Sequence, residues 1–354
     1  MNKEQKRFLK ELVEKPSPSG YETPVAQVWR KRMKRFADSV YSDLHGNSIA
    51  VINHDDRPRV MLAGHCDEIG LMVNWIDDNG YIFFRPVGGV DRHQLPGTRV
   101  KIWTRKGAIP GVIGRKAIHF QEEDERNKVS KFEQMWIDIG AKDKKEAEEY
   151  VEIGDVITVD AGFLQLPTGM LVARGFDDRV GAYVVAETLI ALSKEKSGVK
   201  AGVYAVATVQ EEIGLRGATT SAYHINPDIG IAVDVTFASD HPDVNKRILG
   251  EVKMGGGPVV SRGANINPKL FQLIVDTAKK KKIPIQISAS PRGTGTDANI
   301  MQLTRGGVAT ALISVPNRYM HSPIEMIHPD DLDNTIKLIA EVVKNIGSRE
   351  DFII

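Results

Sequence analysis

The sequence predicts an α/β fold: a mostly parallel central sheet with helices on both faces, plus an inserted small β, barrel-like domain. Three observations carry this. Helices and apolar strands alternate up to about residue 69 and again from about residue 166. Residues 70–165 switch instead to short strand-like runs separated by turn signals. No low-complexity linker or internal repeat divides the chain, so the insert belongs to one enzyme-sized unit. The expected organisation is a catalytic domain from 1–69 and 166–354, with 70–165 as an inserted domain serving assembly or dimerisation.

Phe8, Leu9, Leu12 and Val13 mark one face of a first helix, which ends at Pro16. Val25, Val28, Trp29 and Phe36 predict a second. Asn47–Asn53 and Arg59–His65 read as strands. In the insert, Leu71–Ile76 and Tyr81–Val87 flank Asp78-Asn79-Gly80, and Asn-Gly between apolar runs is a strong hairpin signal. Arg99–Thr104 and Ala108–Gly114 flank Lys106-Gly107. A charged stretch follows Gln121, and Gly154–Asp160 closes the insert. Thereafter a helix follows Asp178. Next come a strand at Gly202–Val209, a strand at Ile229–Val235 and a helix from Pro268. A strand at Ile283–Ser288, a helix after Asp297 and a strand at Val308–Val315 follow. A final helix runs from about Pro329 to Ile346.

Bulk properties narrow the function. A hydrophobic share of 42% suits a globular protein with a real core. Positive and negative side chains nearly cancel, at +1, so no basic field exists to draw nucleic acid. The lysines at 279–282 sit at a helix end, where they complement the dipole. No run approaches the roughly 20 apolar residues that span a bilayer. The first 15 residues read as an amphipathic helix, not a signal peptide. Cys66 is the only cysteine, so no intrachain disulfide can form. These features predict a cytoplasmic protein without nucleic-acid or membrane partners.

Potential metal ligands recur at or just after the ends of four strands. Arg59–Gly64 runs into His65 and Asp67. Gly202–Val209 runs towards Glu211 and Glu212. The strand at 229–235 carries Asp234, and Val308–Val315 leads to a loop with His321. A fifth group, Asp177-Asp178, precedes a helix. In open α/β sheets, ligands bind beyond the carboxyl ends of the strands. One strand-end His or Asp is ordinarily a cap or a hydrogen-bonded loop residue. Five polar groups converging on one sheet edge are costly unless a cation pairs with them. Two His and three carboxylates suit Zn, Co or Mn, not a thiolate structural zinc site. If one carboxylate bridges, the set serves two cations and leaves another carboxylate to move a proton.

The strings AGHCDEIG, RGFDDRVG, VQEEIGLRGA, AVDV, GTDAN and MHSPIE, in this order, resemble the tetrahedral, TET-type co-catalytic metallo-aminopeptidases, which include glutamyl, leucyl and deblocking enzymes. The resemblance covers essentially the whole chain. It implies hydrolysis of the N-terminal residue of short peptides by two divalent cations, Zn or Co, with Mn also suitable. The implied ligands are His65, Asp177 as the bridge, Glu212, Asp234 and His321. Glu211 is implied as general base and Asp67 as the carboxylate orienting His65. A homo-oligomer, a dodecamer built from dimers, is also implied.

The rivals are a related di-metal amidohydrolase or deacylase, which would accept a blocked amine, and a glycosidase. A non-catalytic metal scaffold is a third, against which Glu211 argues as a spare base. Paired Glu211 and Glu212 superficially suit a glycosidase, but neighbours on one strand point to opposite faces. Cys66, by the same alternation, is expected to point away as a buried thiol. The Gly-rich segments from Gly255 and Gly293 lack a P-loop Lys and read as turns that, by resemblance, border the site. His119 is expected on a surface loop. Arg262, Lys253 and Arg292 are the candidate cations for an acidic-residue pocket, while the preferred reading is broad or neutral specificity.

Overall fold

A computed structural model describes all 354 residues. Three strands precede the insert: β1 (Ser39–Ser42), β2 (Ser48–Ile52) and β3 (Arg59–His65). The insert contributes β4 (Gly70–Ile76), β5 (Ile82–Val87), β6 (Arg99–Thr104), β7 (Gly107–Arg115), β8 (Met135–Asp138) and β9 (Val156–Val159). The remainder supplies β10 (Leu164–Gln165), β11 (Leu171–Ala173), β12 (Gly202–Thr208) and β13 (Ile229–Phe237). It ends with β14 (Val259–Gly263), β15 (Gln286–Ser290), β16 (Ala309–Arg318) and β17 (Glu325–Ile327).

The large sheet has the order β1-β2-β12-β3-β13-β16-β17-β11-β10, with β14 pairing both β15 and β16. Its centre, β12-β3-β13-β16, is parallel. The expected mostly parallel order is confined to that centre and the β14–β15 pair; the flanks pair antiparallel. Every residue of β12 is buried, as continuous apolar runs are when helices cover both faces. The flanking strands are short, and sequence periodicity does not reveal them: β10 and β11 have two and three residues.

The helix Phe176–Lys194 is buried along almost its whole length, apolar on all sides, and packs across β3, β12 and β13. Close approach to β3 is made by two glycines. A β-carbon on Gly64 would lie 2.3 Å from the Gly181 carbonyl carbon, and one on Gly181 2.0 Å from Asp178 Oδ2. The helix start and the end of β3 are thus pressed together backbone to backbone, which brings His65 and Asp177 into one place. The second helix, Thr23–Met33, stops short of Phe36, which packs against the core from outside it.

Residues of the insert close into a barrel of order β4-β5-β8-β7-β6-β9 with a core of its own, including Leu71, Ile82, Ile102, Ile137 and Ile157. The first hairpin turns where Asn-Gly places it. Gly80 is left-handed at φ +85, and the Asp77 carboxylate accepts the Asn79 and Tyr81 N–H groups.

The Gly64–Gly181 contact generates a prediction. Gly64→Ala forces two backbones apart and is expected to cost about 1–3 kcal/mol, read as a lower Tm by calorimetry at fixed protein and metal concentration. An unchanged Tm would show that the contact tolerates a methyl group.

Candidate metal centre

Because β12, β3, β13 and β16 are centred on parallel pairs, their carboxyl ends share one edge. His65 closes β3, Asp234 lies within β13, Glu211 and Glu212 follow β12, and His321 follows β16. Asp177 enters from the start of the long helix, where Asp177 and Asp178 have non-helical angles and a cis peptide joins them.

All five residues expected to hold cations meet here. Asp177 Oδ1 lies 3.2 Å from His65 Nε2, and Asp177 Oδ2 lies 3.2 Å from His321 Nε2. Glu212 Oε2 is 3.5 Å from His321 Nε2, and Glu211 Oε2 is 3.8 Å from His65 Nε2. His65, Asp177 and Glu212 present ligand atoms within 4.8 Å of one another, and so do His65, Asp178 and Asp234. Asp178, which the sequence placed beside Asp177 in the fifth polar group without implying it as a ligand, therefore reaches the second group. Its oxygens, however, accept the His65 and Gly181 N–H groups at 3.1 and 2.9 Å. The Asp177 carboxylate accepts no backbone N–H and faces the imidazoles.

Asp67 orients its neighbours through both oxygens. Oδ1 accepts the Glu211 N–H at 3.0 Å; Oδ2 accepts the Glu212 N–H at 3.2 Å and the Ser19 hydroxyl at 2.6 Å. His65 Nδ1 lies 3.2 Å from the Asp67 carbonyl. The expectation that Glu211 and Glu212 diverge is wrong. They lie on a loop, not a strand, and Gln210 before them turns left-handed at φ +54. Both carboxylates consequently face the centre.

The electrostatics are those of an unbalanced anionic pocket. No Lys or Arg pairs with Asp177, Glu211, Glu212 or Asp234; their only close positive partners are the two imidazoles. Burial, reinforced by neighbouring carboxylates, pushes Glu211 up to about 10 and Glu212 to about 8, and raises Asp234 well above the usual range. Asp177 is buried too, but hydrogen bonds to His321 and His65 hold it well below that range. Burial lowers His65, and the Glu211, Asp177 and Asp67 carboxylates override it, raising the imidazole far above its ordinary value. His321 rises to about 9 beside Asp177. Glu212 Oε1 is buried with no hydrogen-bond partner. Four clustered carboxylates, two imidazoles and an orphaned buried oxygen fit divalent cations, which would replace the missing positive charge.

Several supporting residues escaped the sequence reading. Glu68 is buried and forms ion pairs with both Arg174 and Arg179, tying the end of β3 to the start of the long helix. Glu22 Oε1 accepts the Gln210 N–H at 3.0 Å. Glu325 accepts from the amides of Asp177 and His321. Glu68 and Glu325 sit inside the motif strings, but spacing alone cannot say that they point inward.

A cleft opens beside Glu212 and His321, with an aliphatic side of Ile69, Leu71, Val90, Leu95, Ile157 and Val159 and a charged side that includes Glu68, Asp91 and Arg174. Arg262, Lys253 and Arg292 do not line it: Arg262 lies over the Phe271 ring and Lys253 pairs with Glu251. The Gly255 loop lies against the first turn of the last helix, its amide donating to the Asp331 carboxylate at 2.7 Å. Cys66 is fully buried, and His119 is exposed in a short 3-10 turn.

The chain matches the M42 glutamyl aminopeptidase family over residues 46–338. A lysyl aminopeptidase of Pyrococcus furiosus is 41% identical, over 96% of this chain and 96% of its own. The crystal structure of a TET aminopeptidase from a marine-sediment Thaumarchaeota archaeon superposes with a TM-score of 0.94 at 35% identity, covering 99% of both chains. The TET1 peptidase of Pyrococcus horikoshii, which can assemble into a tetrahedron or a large octahedral shell, superposes at 0.86 and 32% identity, over 97% of this chain and 100% of its own. With its anionic pocket at the edge of the parallel strands and a family match across most of its length, this chain belongs to the M42 peptidases and is a metal-dependent aminopeptidase.

Proposed function

We propose that His65, Asp177, Glu212, Asp234 and His321 hold two divalent cations with Asp177 shared between them, and that Glu211 moves the proton during removal of the N-terminal residue of short peptides. The observation that carries this is the placement of Asp177, each of whose oxygens faces a different imidazole at 3.2 Å. On this reading His65 and Asp234 would serve one cation and His321 and Glu212 the other, with Glu212 also within 4.8 Å of His65 and Asp177. Zn or Co suits this nitrogen and oxygen set, and Mn would also fit. Such cations would supply Lewis acidity and lower the pKa of a bound water.

The chain's own residues do the rest. Glu211 stands 3.8 Å from His65 Nε2 with its amide pinned by Asp67, so its carboxylate is placed over the centre without being the oxygen nearest either imidazole. It accepts the proton of the attacking water and returns it to the leaving amine. Asp67 fixes Glu211 and Glu212 in one register. The aliphatic cleft excludes water beside Glu212 and accepts an apolar part of the substrate. We further read the barrel as contributing to assembly of a homo-oligomer, a dodecamer built from dimers; the similar TET1 peptidase forms large homo-oligomers, a dodecamer among them. No helix is long and apolar enough to cross a membrane, and the single cysteine fits a cytoplasmic enzyme.

Three outcomes test this reading. Glu211→Gln should retain cation content by elemental analysis while kcat drops by at least about 100-fold; a variant that stays fully active would remove Glu211 from the role. Chelation should abolish hydrolysis of amino-acid p-nitroanilides and re-addition of Zn or Co restore it, with the N-acetyl forms resistant. Cleavage of the acetylated substrates would favour a deacylase. The third concerns pH. Glu212 and Glu325 are carboxyls raised to about 8, and His321 is an imidazole raised to about 9. All three favour the protonated folded state. Stability of the chelated protein should therefore be greatest near pH 5 and fall as pH rises towards 9, while cation-loaded protein keeps its Tm. A chelated Tm that rises over that window would contradict the charge balance.

A further inference from the structure

His321 reaches the centre from a loop with a left-handed backbone, at φ +61. That conformation strains a residue that has a β-carbon. It persists only when surrounding groups hold it. Two contacts from outside the loop do so. Glu325 lies on β17, only 2% exposed, in register with Ala173 of β11. Its Oε1 accepts the His321 N–H at 3.2 Å and its Oε2 the Asp177 N–H at 2.9 Å. One carboxylate thus spans the amides of two residues whose side chains themselves meet at 3.2 Å.

The second contact comes from the barrel. The Gly89 carbonyl lies 3.1 Å from His321 Nδ1. A carbonyl only accepts, so Nδ1 carries a proton and donates, and in the neutral imidazole that a cation would select the Nε2 lone pair faces Asp177 and Glu212. The turn has no room to spare. A β-carbon on Gly89 would lie 3.1 Å from His321 Nδ1; one on Gly88 would lie 2.9 Å from Ile69 Cγ2 and 3.4 Å from Glu212 Cβ.

We propose that Glu325 is a positioning residue that fixes His321 and Asp177 as a pair, and that the Gly89 carbonyl of the barrel sets the His321 ring and its tautomer. This rests on His321 being a cation ligand. The clamp makes the barrel part of the catalytic centre: the insert's seating on the sheet decides whether His321 can bind.

The test uses the full-length assembly, stripped by chelator and titrated with Zn or Co. Cation stoichiometry and affinity, Tm, kcat and KM are read for Glu325→Ala, Glu325→Gln, Gly89→Ala and His321→Ala. Glu325→Ala should weaken the cation that His321 would hold by about 10–100-fold and the other, which shares Asp177, by less, with kcat falling more than KM rises. Glu325→Gln, which keeps one acceptor oxygen, should fall between. A merely structural Glu325 would lower Tm with cation affinity of the folded protein unchanged, and that result overturns the proposal. If Glu325→Ala does not fold, Gly89→Ala decides, because it removes no buried charge: selective weakening of the same cation supports the clamp, and unaltered affinity sinks it. His321→Ala separates the two levels. Loss of one cation there with none lost in Glu325→Ala rejects the clamp alone. Retention of both cations in His321→Ala rejects the ligand assignment, and the clamp falls with it.

Discussion

The structure turns on one electrostatic constraint: buried carboxylates packed around two imidazoles with no lysine or arginine to balance them. Removing such charge from water is costly, and the protein accepts that cost at one edge of its sheet. Asp177 shows how the cost is contained. Its two oxygens are each turned to an imidazole, whereas neighbouring Asp178 has both oxygens occupied by backbone N–H groups. Two adjacent aspartates are thus placed differently, one facing the imidazoles and one closed around the strand end. The positive charge that is present nearby, on Arg174 and Arg179, is taken up by Glu68 and does not reach the centre.

The fold supplies the convergence. Parallel pairing of β12, β3 and β13 with β16 brings the ends of four separate segments to one edge, and the Gly64–Gly181 contact presses the long helix onto that edge. Side chains on the strands and helix are rigidly placed. Those on loops, Glu211, Glu212 and His321, need additional ties, and buried carboxylates provide them. Asp67 holds the amides of Glu211 and Glu212, and Glu325 holds those of Asp177 and His321. An inner layer of cation-facing groups is therefore braced by an outer layer that binds backbone N–H groups.

What the sequence disclosed follows this division. The parallel centre, the barrel hairpins and the ligand-bearing strand ends were legible, because long apolar runs, Asn-Gly and His or carboxylate at a strand end each have a local signature. Short flanking strands such as β10, β11 and β17 were not, since two or three residues cannot show a period. The positions of Glu211 and Glu212 were misjudged for a related reason. Alternation applies only while the chain remains a strand, and the left-handed Gln210 ends it one residue earlier. The bracing residues stayed hidden because their partners are backbone atoms distant in sequence: Glu325 and Asp177 are separated by 148 positions. Arg262 and Lys253 looked suitable as pocket cations by proximity in sequence, yet an aromatic ring and a glutamate engage them elsewhere.

The barrel's place in this scheme follows from covalent order. It leaves the large sheet after His65 and returns to it through β10 and β11, shortly before Asp177, so it is inserted between two residues that meet at 3.2 Å. Its Gly88-Gly89 turn then folds back to contact Glu212 and His321 on the far side. An insert attached only through its two connections could rock on them; the return contact and the hydrogen bond from the Tyr21 hydroxyl to the Gly154 carbonyl at 3.3 Å seat it further. That geometry leads the rigidity of the cation centre back to a domain outside the catalytic sheet, and it requires the residues at the return contact to lack side chains, since the space between turn and imidazole is already filled.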